Sequence, residues 1–189
     1  TVPGRVGNAL DMGDQGYLDL SQHVDTLSGL GSFTLTAWIR DPGDNVSILF
    51  SFSDGSASNR IQFNLNRRFL VYLWQDQSSH WDSVAGPVDG WKPGQWYHVA
   101  VSVSPSGVRL YRDGDLLATG SKGVQIGTPI LTPPALEKPK EVFLGHVREG
   151  TAQTMVEPQW FGGVMDDVQL YAGALDHAAI RYLCENPGE

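Results

Sequence analysis

The most informative part of the chain runs from Phe161 to Leu175 and reads FGGVMDDVQLYAGAL. Apolar and polar residues alternate through its middle, which predicts a strand followed by a turn and a short helix. Because side chains alternate between the two faces of a strand, Asp166 is predicted to share an apolar face with Val164 and Val168. A carboxylate on an apolar face has to be paired, hydrogen-bonded or bound to a metal. The stretch therefore predicts a strand with one chemically special acid.

Short alternating runs recur before this stretch, separated by glycine, proline, asparagine, aspartate and serine. That pattern is typical of an antiparallel sandwich or barrel. Phe33–Arg40 and Trp96–Val103 are clear examples, and Asp113-Gly114 fits a two-residue hairpin turn. Asp176 is predicted to cap a short C-terminal helix that ends near Leu183. The sequence thus predicts an all-β, two-sheet antiparallel β-sandwich with a short C-terminal helix.

Two stretches lack this alternation. Residues 119–140 hold four prolines, and residues 148–159 show no strand period, so both are predicted to be surface loops. Neither stretch has the composition of an interdomain linker. We therefore expect a single domain over residues 1–189.

Composition narrows the classes of partner. Thirteen basic against 21 acidic residues give a net charge of −8, which argues against nucleic acid or an anionic membrane as the main partner. Cys184 is the only cysteine, so an intrachain disulfide is impossible. No run is apolar enough for membrane insertion, and no signal peptide is visible. Because the chain opens at Thr1 rather than methionine, we expect a processed protein or part of a larger one.

Six motifs follow one another in the order found in laminin-G-like jelly rolls of the concanavalin A-like lectin/glucanase superfamily, which the chain resembles over nearly its whole length. They are Gly7–Leu20, Phe33–Ile39, Trp96–Ala100, Asp113-Gly114, Val142–Gly145 and Gly163–Leu175. The resemblance implies two antiparallel sheets packed face to face, with the opening and closing strands close together. It says less about function, because function belongs to the site and not to the fold.

The C-terminal half is also similar to pentraxins, which share this fold and bind their ligands through two calcium ions. Their acidic and amide ligands follow a strand that corresponds to Phe143–Gly145 here. In this chain that strand is followed by His146–Glu149, and the earlier Asp-Asn pair of pentraxins is replaced by Ser58-Asn59. Most of the anionic ligands are absent, so a double calcium site of the pentraxin type is not expected.

A single calcium ion is the remaining metal hypothesis. Calcium takes six to eight oxygen ligands, often aspartates and backbone carbonyls. Asp11 and Asp14 lie in a glycine-containing loop that the resemblance brings near Asp166. One interpretation is a Ca²⁺ ion held by Asp14, Asp166 and loop carbonyls. The alternative is that Asp166 accepts backbone N–H groups and holds no ion.

Aromatic residues beside amides and acids are the pattern expected of a sugar site, because ring faces pack on the C–H faces of pyranoses. Trp74 and Trp81 bracket such a segment, which runs from Gln75 to Asp82. The sequence therefore predicts a carbohydrate site formed by Trp74, Gln75, Trp81 and Asp82. The alternative at each tryptophan is packing within the sheets.

Catalysis is the competing class of function. The hydrolases that the chain resembles carry a strand of alternating Glu and Asp, whereas no glutamate precedes Glu137 in this chain. Asp166 and Asp167 are adjacent on a strand, so they are predicted to point to opposite faces and not to form a facing pair. A Gly-x-Ser-x-Gly elbow and a zinc-type spacing are also missing from the sequence. We therefore predict that the protein is not an enzyme.

Together these observations predict a non-catalytic recognition module, either alone or as part of a larger protein. Its expected partner is a carbohydrate or an extracellular protein, bound at the loops of one rim or on a sheet face. The expected location is secreted, periplasmic or cell-surface. Two alternatives stay open, a glycoside hydrolase of the glucanase type and a structural adhesion or spacer module.

Overall fold

The computed structural model describes residues 1–41, 43, 46–55, 60–66, 69–75, 81–105, 107–117, 140–147 and 160–189, with the backbone alone at 27, 75, 81 and 82. Three sequence predictions lie outside the described residues. They are the loop over 119–139, the loop over 148–159 and the Ser58-Asn59 pair.

Within this part of the chain there are thirteen strands, two short α-helices and one 3₁₀ turn. The strands are β1 (Val2–Pro3), β2 (Asn8–Asp11), β3 (Leu18–Asp19), β4 (Phe33–Arg40), β5 (Val46–Ser53), β6 (Arg60–Asn66), β7 (Phe69–Gln75), β8 (Trp81–Pro87), β9 (Trp96–Ser104), β10 (Gly107–Arg112), β11 (Asp115–Leu116), β12 (Glu141–Leu144) and β13 (Val164–Tyr171). The 3₁₀ turn covers Ser21–His23, and the helices are α1 (Val24–Leu27) and α2 (His177–Glu185). No helix of the described residues is long and apolar enough to cross a membrane.

The strands form two antiparallel sheets. The described residues give one sheet of seven strands in the order β1-β2-β13-β4-β9-β10-β11, and one of six strands in the order β3-β12-β5-β6-β7-β8. Because β2 pairs with β13, the beginning and the end of the chain are neighbours. This arrangement confirms the predicted two-sheet sandwich and the predicted contact between opening and closing strands.

Alternation along β4 shows how the sequence builds the core. Phe33, Leu35 and Ile39 point to the inner face, where they join the apolar cluster shared by the two sheets. Thr34 and Thr36, which alternate with these residues, point to the outer face. The pairing of β4 with β9 places residues that point to the same face opposite one another. The six-stranded sheet supplies the opposite wall with residues such as Phe63 and Leu70. Burial of these side chains is the main stabilising term of the sandwich.

The outer face of the seven-stranded sheet is covered by α2. The Asp176 carboxylate accepts the N–H of Ala179 at 2.9 Å, which confirms the predicted N-cap. Ile180 is fully buried and packs on Ala100 and Tyr111 of the sheet. Leu183 is also buried. The apolar stripe of α2 therefore closes this side of the molecule.

A β-bulge in β13 overturns the predicted parity of that strand. The pairing of β13 with β4 shifts register between Asp166 and Gln169, and Asp167 has a positive φ of 47°. The extra residue reverses the alternation, because a one-residue shift moves every later side chain to the other face. Met165 and Val168 consequently face the core, whereas Asp166 lies opposite Trp38 on the outer face. The prediction that Asp166 shares the inner apolar face was wrong.

Some short or irregular elements were not predicted, namely β1, β2, β8 and the helical turns over Ser21–Leu27. The strand β8 contains Gly86 and Pro87, both of which weaken a strand pattern in sequence. Pairing with β7 along its whole length forms the strand in spite of that composition.

His98 gives the fold a measurable dependence on pH. Its side chain is buried, and burial lowers the pKa of the imidazole to about 4, although the nearby Asp167 carboxylate opposes the shift. The imidazole takes up a proton near pH 6.5 in the unfolded chain but only near pH 4 in the folded chain. The contribution of His98 to the free energy of unfolding is therefore complete above pH 6.5 and is lost as the pH falls toward about 4.

We expect the free energy of unfolding to fall by up to about 3 kcal/mol over that window because of this one group. Urea denaturation of the His98→Gln variant at several pH values should show a flatter profile than the native protein between pH 6.5 and 4. Equal slopes for the two proteins would show that folding does not lower the pKa of His98.

Candidate functional site

The two outer faces of the sandwich differ in what covers them. Over the seven-stranded sheet lie α2 and both ends of the chain, with the Arg5 guanidinium 4.2 Å from the centre of the Trp38 ring. The outer face of the six-stranded sheet carries partly exposed side chains on β7 and β8, including Val71, Leu73 and Ser83, whereas Gln62 and Asn64 in its middle are buried. That face, called the ligand face below, is the candidate site.

Strand register aligns the residues of the ligand face into rows. The first row crosses all six strands and consists of Asp19, Phe143, Ser51, Gln62, Leu73 and Ser83. A second row contains Glu141, Ser53 and Arg60, followed by positions 75 and 81. With strands about 4.8 Å apart, the first row spans about 24 Å. The face is therefore long enough for an extended ligand to contact several strands.

An aromatic cluster stands at the β12 end of the ligand face. It consists of Tyr17, Phe143, His146 and Trp160. The His146 and Trp160 rings stack with their centroids 3.9 Å apart, and the Tyr17 ring lies 5.7 Å from Phe143 and 5.0 Å from His146. Tyr17 is 49% exposed. The cluster thus holds an accessible ring in place through contacts with three others.

Buried amides lie in the middle of the same face. Gln62 and Asn64 are 0% and 4% exposed. Among the described residues there is no hydrogen-bond partner for the Nε2 and Oε1 atoms of Gln62 or for the Oδ1 atom of Asn64. Each buried polar atom left without a partner costs about 1–3 kcal/mol, so these atoms favour a polar ligand or water.

Other polar groups of the ligand face already form hydrogen bonds within the protein. The Ser51 hydroxyl donates to the carbonyl of His146 at 2.7 Å, and the Ser53 hydroxyl donates to the Glu141 carboxylate at 2.9 Å. Arg60 is buried, and burial lowers the pKa of its guanidinium, which nevertheless stays charged at neutral pH. The second row therefore holds one positive and one negative group, Arg60 and Glu141.

The four residues predicted to bind sugar fall into two sets. Trp74 lies in the core with 2% exposure, and its ring is 5.6 Å from that of Tyr72. Position 82 is the pairing partner of Trp74. Positions 75 and 81 pair with each other in the second row of the ligand face. The structure assigns Trp74 to core packing, and a role for Gln75, Trp81 and Asp82 stays a prediction. The intervening residues 76–80 lie outside the described part.

The two residues predicted to bind calcium have different surroundings. Asp14 is exposed in the loop between β2 and β3. Asp166 is 8% exposed, and its carboxylate accepts the N–H groups of Val6 at 2.8 Å and of Asp167 at 2.9 Å. A Cβ atom at Gly4 would lie 2.3 Å from the Oδ2 atom of Asp166, so the chain passes this carboxylate closely. These bonds match the amide-capping alternative.

No three His, Cys, Asp or Glu side chains of the described residues are grouped closely enough to hold a metal ion. Carbonyl oxygens and water could complete a calcium site around fewer acids. Calcium binding by Asp14 and Asp166 accordingly stays a prediction.

The carboxylates of Asp166 and Asp167 do not point to opposite faces, which corrects the sequence argument about them. Asp167 accepts the N–H of Gly188 at 2.9 Å, and Gly188 lies beside the Val6 residue that Asp166 binds. The bulge therefore turns both carboxylates to the outer side of the sheet. Each one accepts hydrogen bonds from backbone amides.

The ligand face carries the carboxylates of Asp19 and Glu141 within its described rows. Hydrogen bonds from Ser21 lower the pKa of Asp19. A glycosidase needs a general acid whose pKa is raised, and the shift at Asp19 has the opposite direction. Asp19 is therefore not suited to act as the general acid of a glycosidase.

Sequence reasoning missed the aromatic cluster because its members are far apart in the chain. One signal was available at β12, where Val142 and Leu144 alternate with Phe143 and so place an aromatic ring on the outer face. Nothing in the sequence indicates that Tyr17 and Trp160 approach the same strand.

Comparison with known proteins identifies the family. The model described as "Concanavalin A-like lectin/glucanases superfamily" (Laminin_G_3) matches residues 12–181. No curated protein matches the chain in sequence. Among solved structures, CBM40 of the Ruminococcus gnavus IT-sialidase bound to alpha2,3 sialyllactose aligns with a TM-score of 0.70 at 14% identity, covering 94% of this chain and 96% of that one.

Two sialidases are similar over part of their length. The K499G mutant of NanB sialidase from Streptococcus pneumoniae has a TM-score of 0.69 and 18% identity, covering 93% of this chain and 27% of that one. The leech intramolecular trans-sialidase has a TM-score of 0.71 and 17% identity, covering 96% and 28%. The chain thus spans about a quarter of these enzymes, and at such identities the likeness concerns the fold. The chain belongs to the concanavalin A-like lectin/glucanase superfamily.

Proposed function

We propose that the protein is a non-catalytic module that binds a carbohydrate on the ligand face of the six-stranded sheet. One observation carries the proposal: an exposed tyrosine, held by an aromatic cluster, shares one outer face with buried amides that have no partners among the described residues. The ring supplies a surface for the C–H face of a sugar, and the amides supply donors and acceptors for its hydroxyls. Both requirements of a sugar site meet on one face.

The structural neighbours support the same class of ligand. The CBM40 structures of the Ruminococcus gnavus IT-sialidase are bound to alpha2,3 and alpha2,6 sialyllactose. We therefore place sialyllactose beside neutral oligosaccharides in the first set of glycans to test.

Residues 1–189 would act as one binding module, secreted, periplasmic or on the cell surface, where glycans are displayed. Recognition of an extracellular protein is the second candidate, because aromatic residues such as Tyr17 also serve as anchors in protein interfaces. Recovery of bound oligosaccharides intact after long incubation would separate a binding module from a hydrolase of the glucanase type.

Replacing Tyr17 by alanine removes the accessible ring of the aromatic cluster. We expect glycan affinity, measured by array binding and isothermal titration calorimetry, to fall about tenfold, because one aromatic contact contributes on the order of 1 kcal/mol. Tyr182→Ala is the matched control, since Tyr182 is 52% exposed on α2 at the other side of the sandwich. Equal affinities for the two variants would remove the aromatic cluster from the site.

Gln62→Leu replaces the amide that lacks partners with an apolar group of similar size. We expect the melting temperature to stay level or rise, because a buried unsatisfied group is removed. Glycan affinity should fall about tenfold, because the ligand loses hydrogen bonds to a buried amide. A drop in stability without a change in affinity would mean that Gln62 bonds within the protein.

The calcium hypothesis is tested separately from glycan binding. Titration of the EDTA-treated protein with millimolar calcium should give no heat and no rise in melting temperature, because the Asp166 carboxylate is held by two backbone amides. Binding heat that disappears in Asp14→Ala would instead establish the predicted ion between Asp14 and Asp166. Magnesium serves as the control for nonspecific effects of a divalent cation.

A further inference from the structure

An apolar cavity of about 550 Å³ lies between the two sheets, away from the ligand face. Leu35, Met165 and Leu170 form its wall on the seven-stranded sheet, and Phe50 and Leu144 form the opposite wall. Protein interiors are close-packed, and their voids seldom exceed the size of a water molecule. This space opens to solvent and is therefore a cleft, and its volume lies within the range of ligand-binding pockets.

The cavity opens to solvent at one edge of the sandwich. Leu10 on β2 and Leu18 on β3 border this opening and are 38% and 39% exposed. Each belongs to a different sheet, so the gap between the sheets is not sealed there by a strand. Exposed leucines around an opening are typical of a ligand entrance.

Polar groups border the cavity near this opening. Asn8, His23 and Thr26 are exposed side chains of its lining. Asp166 and Asp167 also border it, but their carboxylates accept backbone N–H groups. The remaining walls are aliphatic apart from Phe50, so they offer no hydrogen bonds to a ligand deep inside.

We infer that the cavity binds the single aliphatic chain of a lipid amphiphile, with its polar head beside His23 and Thr26. Facing sheets lie about 10 Å apart, so an unfilled layer between them is a thin slot that suits an extended chain. A benzene ring fits a cavity of about 150 Å³, and by that ratio this one holds about 20 heavy atoms. That size corresponds to a fatty acid or fatty alcohol of ordinary length.

The inference is independent of the proposed glycan site, because the cavity lies on the inner faces of the sheets and the ligand face is an outer one. A ligand would displace water from the apolar walls, which offer that water no hydrogen bonds. The acyl chain would gain its affinity from burial of apolar surface alone.

The test is fluorescence titration of the whole chain with cis-parinaric acid, a fluorescent polyene fatty acid. We expect saturable uptake of one probe per chain, displaced by palmitic acid. Displacement of the probe by hexadecanol, measured in the same way, distinguishes a site that requires a carboxylate head from one that binds only the aliphatic chain. Failure of the folded protein to take up the probe would overturn the inference.

Leu170→Trp fills the cavity from a half-exposed wall position and should weaken probe binding at least tenfold without lowering the melting temperature. Leu116→Trp is the control, since Leu116 is 46% exposed on β11, outside the cavity lining. If Leu170→Trp does not fold, Val168→Phe fills the same cavity. Undiminished binding in the folded filling variant would overturn the inference. The inference is also overturned if the protein takes up no probe and sediments as a dimer, because a second copy of the chain then covers the opening.

Discussion

Two neighbouring carboxylates on one bulged strand fasten both ends of the chain to the sandwich. Asp166 holds the N–H of Val6, and Asp167 holds the N–H of Gly188. Charge-assisted hydrogen bonds of this kind are stronger than neutral ones and require their partners to stay in place. With the ends fixed there, and with α2 packed through Ile180, the outer face of the seven-stranded sheet is closed.

That closure divides the molecule by function. The inner faces of the two sheets bury the apolar residues that stabilise the fold, and the covered outer face secures the termini. The outer face of the six-stranded sheet keeps the amides of Gln62 and Asn64 and the ring of Tyr17. A polar ligand is matched to that face, and an aliphatic ligand is matched to the gap between the sheets. The two chemistries are separated by one layer of strands.

The candidate site shows where sequence reasoning reaches its limit. The pattern around Trp74 combined aromatic and polar residues, but strand alternation buries that ring in the core. The aromatic cluster joins Tyr17 to Trp160, two residues that lie 143 positions apart in the chain (160 − 17). Local composition carries no signal for such a contact, because it depends on which strands become neighbours.

The sequence by itself determined the class of the fold. Alternation along Phe33–Arg40, the Asp113-Gly114 turn and the Asp176 cap each depend on neighbouring residues, so local physics was sufficient to predict them. Tertiary structure alone decided the face that Asp166 occupies and the grouping of the aromatic cluster. A bulge of a single residue reverses the direction of every later side chain, and the pairing of distant strands selects the residues that meet on a face. Both outcomes depend on the partner strand, which the sequence of one strand does not contain.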